Sequence, residues 1–109
     1  MIDKAIHALA EPRRRDILHL VRDEELTSSA IAAHFDITAP AISQHLKVLE
    51  EAGLVVVRRA GTKRIYGIRR DGFAELKQYI ESFWDDSLSR LKEAAEEEER
   101  RNHESNQQQ

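Results

Sequence analysis

The sequence has no cysteine, two prolines, four glycines and six aromatic residues among 109. Without thiols, disulfides and thiolate metal sites are excluded. So few aromatics make the core mostly aliphatic, and a chain of this length buries one modest core, which excludes a large enzyme with separate cofactor and substrate domains. No uninterrupted apolar stretch approaches the roughly 18 to 20 residues of a membrane helix. Met1 to Ala10 lacks a basic start followed by an apolar run, so no secretory signal is read there and a cytoplasmic protein is expected.

Charge is unevenly placed. The net charge is −3, yet residues 1–70 carry 12 basic and 9 acidic groups, and residues 71–109 carry 5 and 11. Within Val57 to Arg70 stand six basic residues, Arg58, Arg59, Lys63, Arg64, Arg69 and Arg70, and no acid. An acidic overall balance therefore hides a basic segment suited to a polyanion.

Apolar periodicity supplies the elements. Ile2, Ile6 and Leu9 recur at helical spacing and mark one face of a short first helix. Pro12 suits the first turn of a second helix, whose inner residues are Ile17, Leu18 and Val21 and whose end is expected near Asp23. Thr27 can cap a third helix, with Ile31 and Phe35 as its buried pair. Asp36, Ile37 and Thr38 are too few for anything but a tight turn. Thr38 then caps a fourth helix with Pro40 in its first turn, Ile42, Leu46 and Leu49 inside, and a stop at Gly53. Leu54 to Arg59 and Arg64 to Ile68 are strand-like, joined through Ala60, Gly61, Thr62 and Lys63 as a hairpin. From Phe73 a long helix carries Leu76, Ile80, Phe83, Trp84, Leu88 and Leu91. Residues 1–95 form the domain, and residues 96–109, with nothing to bury, are expected to be a disordered charged tail.

Two helices joined by a three-residue turn, the second followed by a basic hairpin, make a helix-turn-helix with a wing. On the fourth helix Ser43, Gln44 and Lys47 share a face away from Ile42, Leu46 and Leu49. Gln44 can pair with adenine N6 and N7, Ser43 can donate or accept, and Lys47 can reach guanine or a phosphate. His45, among them, suits packing or a phosphate hydrogen bond. The hairpin lays Arg58, Arg59, Lys63 and Arg64 along neighbouring phosphates, and Tyr66 joins the candidate contacts to DNA. Thr38 and Pro40 complete the candidate set for duplex DNA. Arg13, Arg14 and Arg15 read as a solvated face.

Three segments, LAEPRRRDIL at Leu9 to Leu18, ITAPAISQHLKVLEEAGLV at Ile37 to Val55 and RRAGTKRIYGI at Arg58 to Ile68, resemble the ArsR/SmtB type of bacterial winged helix-turn-helix repressors. The resemblance covers about residues 2–95. ESFWDDSLSRLK, Glu81 to Lys92, is similar to the subgroup whose last helix carries a Phe-Trp pair and lacks a metal site. It implies a mainly α fold with a β-hairpin wing and a homodimer built by the first and last helices. Such a dimer binds a near-palindromic operator and represses transcription, often of its own gene. The departures are informative. Where metal-sensing members carry paired cysteines this chain has Thr27 and Ser29, and between Arg70 and Asn102 there is no histidine. Asp36 replaces a glycine in the turn, where aspartate tolerates the left-handed region, and Ala39 removes one polar group near the cap.

For dimerisation the expected residues are Ile2, Ile6, Leu9, Phe83, Trp84, Leu88 and Leu91, because so short a chain has little core to cover the large side chains of its last helix. His7, His19, His34, His45 and His103 lack ligand-type spacing, so neither metal nor other cofactor is expected. Ser28, Ser29 and Ser43 lack the surroundings of a nucleophile, and no catalytic activity is expected. Two other classes stay open: a winged-helix module docking an acidic protein, and a sensor with an effector site at the dimer interface.

Overall fold

The computed structural model describes the backbone of residues 2–107 and their side chains except those of residues 85–88 and 103–107. Leu88 and His103, named above, therefore lie outside the described side chains. The elements in order are α1 (Ile2–Leu9), α2 (Pro12–Val21), β1 (Leu26–Thr27), α3 (Ser28–Ala32), α4 (Ala39–Glu51), β2 (Val55–Ala60), β3 (Lys63–Ile68) and α5 (Arg70–Gln107). The chain divides into two units, Met1–Leu76 and Lys77–Gln109.

The first unit holds the core. Ile17, Leu18 and Val21 of α2, Ile31 of α3, Ile42, Leu46 and Leu49 of α4, Leu54 just before β2, and Val55 and Tyr66 of the hairpin close over one another. In α1 the buried residues are Ala5 and Ala8, while Ile6 is 44% exposed. Small alanines let α1 lie close to the core, and Ile6 points away from it. Arg14 and Arg15 are more than a solvated face. Arg14 donates from Nε to Ala8 O at 2.8 Å and from Nη2 to His7 O at 3.2 Å, and Arg15 donates from Nη1 to Leu9 O at 2.7 Å. With Ala10 N–H on Ile6 O, the last four carbonyls of α1, which have no partner inside the helix, are all satisfied.

The sheet has three strands in the order β1-β3-β2, all antiparallel. The two-residue β1, pairing Leu26 with Tyr66 and Thr27 with Ile65, is too short to carry a periodic signal. In the hairpin Ala60 pairs with Lys63, so the loop is Gly61-Thr62, shorter than the four residues expected from sequence. Gly61 takes a φ of 65°, and among the described residues no residue other than glycine adopts a positive φ, the pattern of a turn with glycine at its first central position. Asp36 accordingly does not enter the left-handed region, and α3 ends at Ala32, so the connection to α4 is six residues, 33–38, and not the three expected.

The helix α5 begins at Arg70, three residues before the position expected from sequence, and its first turn packs tightly. A β-carbon on Gly72 would stand 2.0 Å from Gly53 O, so only glycine lets α5 pass the end of α4. In the second unit α5 remains helical past Ala95 to Gln107. Arg100 and Arg101 pair with Glu97 at 2.7 and 3.7 Å, spacings of three and four that support an exposed helix where the composition had suggested a disordered tail.

Candidate nucleic-acid interface

The fourth helix is fixed at both ends by its own sequence. Thr38 Oγ1 accepts from Ala41 N at 3.2 Å, and Pro40 sits in the first turn. At the other end Gly53, with φ 75°, donates to Glu50 O, and Leu54 donates to Leu49 O, both at 3.0 Å. This is the paired closure of a Schellman motif, and its apolar partners Leu49 and Leu54 are both fully buried. With Ile42 and Leu46 also buried, the orientation of α4 is set, and Pro40, Ser43, Gln44 and Lys47 are left exposed on the opposite side.

Between this face and the hairpin runs an open groove of about 700 Å³, lined by Ser28, Pro40, Ser43, Gln44, Lys47, Glu50, Arg64 and Tyr66. Glu50 is the acid that a reading of polar and basic residues overlooks; it can accept from cytosine N4. Tyr66 differs from the expectation of an outward contact. It is 5% exposed, so its ring forms the floor of the groove and supports the wing from the core side.

Strand register divides the wing's charges. Arg59 faces Arg64 across the hairpin, and Val57 faces Tyr66. Residues two apart share a face, so Arg59 and Arg64 lie on the side of Tyr66 and the groove, while Arg58 and Lys63 lie on the other. Like charges directly opposite are unfavourable, and a phosphate between Arg59 and Arg64 would relieve the repulsion. Arg58 is already paired: its Nε stands 2.7 Å from Glu25 Oε2. Glu25 lies 33 residues away in sequence, and nothing local announces it. Its stem crosses the sheet where a β-carbon on Gly67 would be 3.1 Å from Glu25 Cγ. Arg69 and Arg70 stand at the base of the wing, where Arg69 N donates to Leu54 O. The run of six basic residues is therefore not one patch.

His45 is half-buried, with Nδ1 3.4 Å from Arg14 Nη1. Arginine has only donors, so Nδ1 is the acceptor in this long contact. Arg14 thereby joins the end of α1 to the fourth helix, a role hidden in sequence because it depends on residues 31 apart.

A second surface is apolar. On α5 Tyr79, Ile80, Phe83, Trp84 and Leu91 are exposed, at 41 to 65%, and Tyr79 and Phe83 meet edge to face at 5.1 Å. Ile2 and Leu9, also assigned to dimerisation, are partly buried against the core. Among the described residues no group of three or more His, Asp or Glu is gathered as a metal site, and no helix is long and apolar enough to cross a membrane.

Comparison with known proteins places this geometry. Residues 11–57 match the family model described as bacterial regulatory protein, arsR family. The chain is 39% identical over 87 residues to the HTH-type transcriptional regulator Rv2034 of Mycobacterium tuberculosis, covering 80% of this chain and 81% of that protein. It is 34% identical over 67 residues to the transcriptional repressor SdpR of Bacillus subtilis, covering 62% and 74%. The solved homodimeric winged helix-turn-helix DNA-binding domain of Mb0332 from Mycobacterium bovis superposes with a TM-score of 0.63 at 32% identity, covering 78% of this chain and 79% of that one.

Proposed function

Because the chain belongs to the arsR family of bacterial regulatory proteins, a family of DNA-binding transcriptional regulators and not of enzymes, we propose that it is a cytoplasmic repressor. In this reading it binds a near-palindromic operator as a homodimer. The observation that carries it is the groove between the exposed face of α4 and the Arg59–Arg64 side of the wing. The fourth helix enters the major groove, where Gln44 and Ser43 read base edges and Lys47 reaches guanine or a phosphate. Arg59, Lys63 and Arg64 hold flanking phosphates, which fixes register without reading sequence. Thr38 and Pro40 border the entry of α4, His45 offers Nε2–H to a phosphate oxygen, and Tyr66 supports from beneath.

Dimerisation follows from the exposed apolar side chains of α5 and Ile6, which exceed what an isolated surface helix carries. Ile2, Leu9, Phe83, Trp84, Leu88 and Leu91 complete that interface. The homodimeric state of the Mb0332 domain supports the same assembly here. A mobility shift with fragments from upstream of the protein's own gene tests the function. Retardation that survives excess random duplex is expected; equal competition by random duplex would refute sequence-specific binding.

A further inference from the structure

Arg14 divides its guanidinium between two helices of the first unit. Its Nε and Nη2 donate to Ala8 O and His7 O at 2.8 and 3.2 Å, at the end of α1, and its Nη1 stands 3.4 Å from His45 Nδ1 on α4. A guanidinium is a planar, rigid fork, so the two bonds to α1 fix the direction of the third arm. At 3.4 Å that arm is longer than the usual range of about 2.7 to 3.2 Å. It adds little to folding, which the two carbonyl bonds already serve.

His45 stands where such an arm has a use. Ala41, His45 and Val48 form a half-buried flank of α4, between the exposed Ser43, Gln44 and Lys47 and the buried Ile42, Leu46 and Leu49. A helix lying in a major groove about 12 Å wide turns its flanks toward the phosphate walls. A neutral imidazole accepts on one nitrogen and donates on the other. With Nδ1 turned to a partner that has only donors, Nε2 is the nitrogen left to donate to a phosphate oxygen. The ring then lies between a cation and an anion, and each bond of such a chain polarises the next. The long Arg14 contact therefore strengthens when the phosphate arrives.

We propose that Arg14 is a positioning residue for operator binding: anchored on the carbonyls of His7 and Ala8, it orients the His45 imidazole to donate to a backbone phosphate. The proposal rests on the DNA-binding reading and deepens it, since it names the residue that makes a half-buried histidine a phosphate contact.

Arg15 supplies the control. It also ties down the end of α1, from Nη1 to Leu9 O at 2.7 Å, and has no hydrogen bond to His45 among the described residues. His45→Ala is measured in full-length wild-type, Arg14→Ala and Arg15→Ala chains by fluorescence anisotropy of a labelled duplex from upstream of the protein's own gene. Circular dichroism confirms that each variant is folded at the assay temperature. A dimer makes one such hydrogen bond in each half-site, each worth roughly two- to tenfold. His45→Ala should therefore weaken binding about fivefold or more in the wild-type and Arg15→Ala chains, and less than about twofold in Arg14→Ala. Equal losses in all three would show that His45 is oriented without Arg14 and overturn the proposal. Loss of the His45 effect in Arg15→Ala as well would reduce Arg14 to a tie on α1, and no effect in the wild type would remove His45 from the DNA; either result overturns it too. Salt dependence separates positioning from contact. Arg14→Ala should keep the wild-type slope of log K against log salt, whereas a slope flattened by ~1.8 per dimer would put Arg14 itself on a phosphate and overturn its positioning role. A wild-type protein without preference for that duplex over random DNA would overturn the DNA-binding reading and the positioning role together; with that preference intact, the other adverse results overturn the positioning role alone.

Discussion

Replacing wing arginines one face at a time should separate phosphate contacts from internal ion pairs. Arg59 and Arg64 share the groove side of the hairpin, and neither has a carboxylate partner among the described residues. Arg58 is held by Glu25 at 2.7 Å. If Arg59 and Arg64 each neutralise one phosphate, a dimer makes four such contacts, and each contributes ~0.9 to the slope of log K against log salt. Arg59→Ala with Arg64→Ala should therefore flatten the slope by about 3.6. Over a salt range of about 50 to 200 mM, that difference changes the ratio of wild-type to variant affinity by roughly two orders of magnitude. Arg58→Ala should change the slope by much less than one contact per wing, because the charge removed was already compensated. Glu25→Gln keeps the side chain that covers Gly67 yet frees Arg58, and should steepen the slope by up to about 1.8 per dimer. The Arg58–Glu25 pair is exposed, so its loss should cost only about 0.2 to 1 kcal/mol of stability, and unfolding cannot mimic these effects. Fluorescence anisotropy of a labelled operator across the salt range is the assay. A loss of slope in Arg58→Ala equal to that in the Arg59, Arg64 double variant would refute the division of the wing into two faces.

The remaining expectations concern reading, packing and metal. Gln44→Ala should cost about 1 to 3 kcal/mol on the operator and far less on random duplex; equal losses in a competition assay would remove Gln44 from base reading. Gly72→Ala forces a β-carbon to 2.0 Å from Gly53 O, and should lower stability by about 1 to 3 kcal/mol, so an unchanged thermal midpoint would contradict the tight crossing of α5 and α4. Arg14→Ala strips two hydrogen bonds from the end of α1 and should cost about 1.5 to 3 kcal/mol in urea unfolding. Operator affinity should be indifferent to zinc and arsenite at low micromolar concentration, since Thr27 spends its hydroxyl oxygen capping α3 at 3.1 Å from Ala30 N and Ser29 brings no thiolate; a tenfold shift, about 1.4 kcal/mol of coupling, would reveal a site.

Where local chemistry decides an element, the sequence announces it. Thr38, Pro40 and Gly53 mark both ends of α4 because a cap hydroxyl, a missing N–H and a left-handed residue act within a few positions of themselves. Ile42, Leu46 and Leu49 then fix which face of α4 is left for Ser43, Gln44 and Lys47. The wing was visible as a hairpin, and its register was implicit as well, since the Gly61-Thr62 loop sets Arg59 opposite Arg64 just as a loop of residues 60–63 would; what stayed hidden is that Arg58, on the other face, already has a partner. Glu25 and Arg14 act over 33 and 31 residues, so their partners had no signature in any local window. Apolar periodicity marks the stripe of Ile2, Ile6 and Leu9 without saying whether the core or a partner covers it; Ala5 and Ala8 carry little hydrophobic signal yet take the core side. The extension of α5 past Ala95 rests on exposed ion pairs at helical spacing, which composition alone does not separate from a solvated tail.

The central claim is that two recognition helices enter successive major grooves on one face of a duplex. Hydroxyl-radical footprinting of the protein on DNA upstream of its gene tests this directly. Two protected patches about 34 Å apart, with two chains bound per duplex, are the predicted result; a single patch bound by one chain would contradict the account.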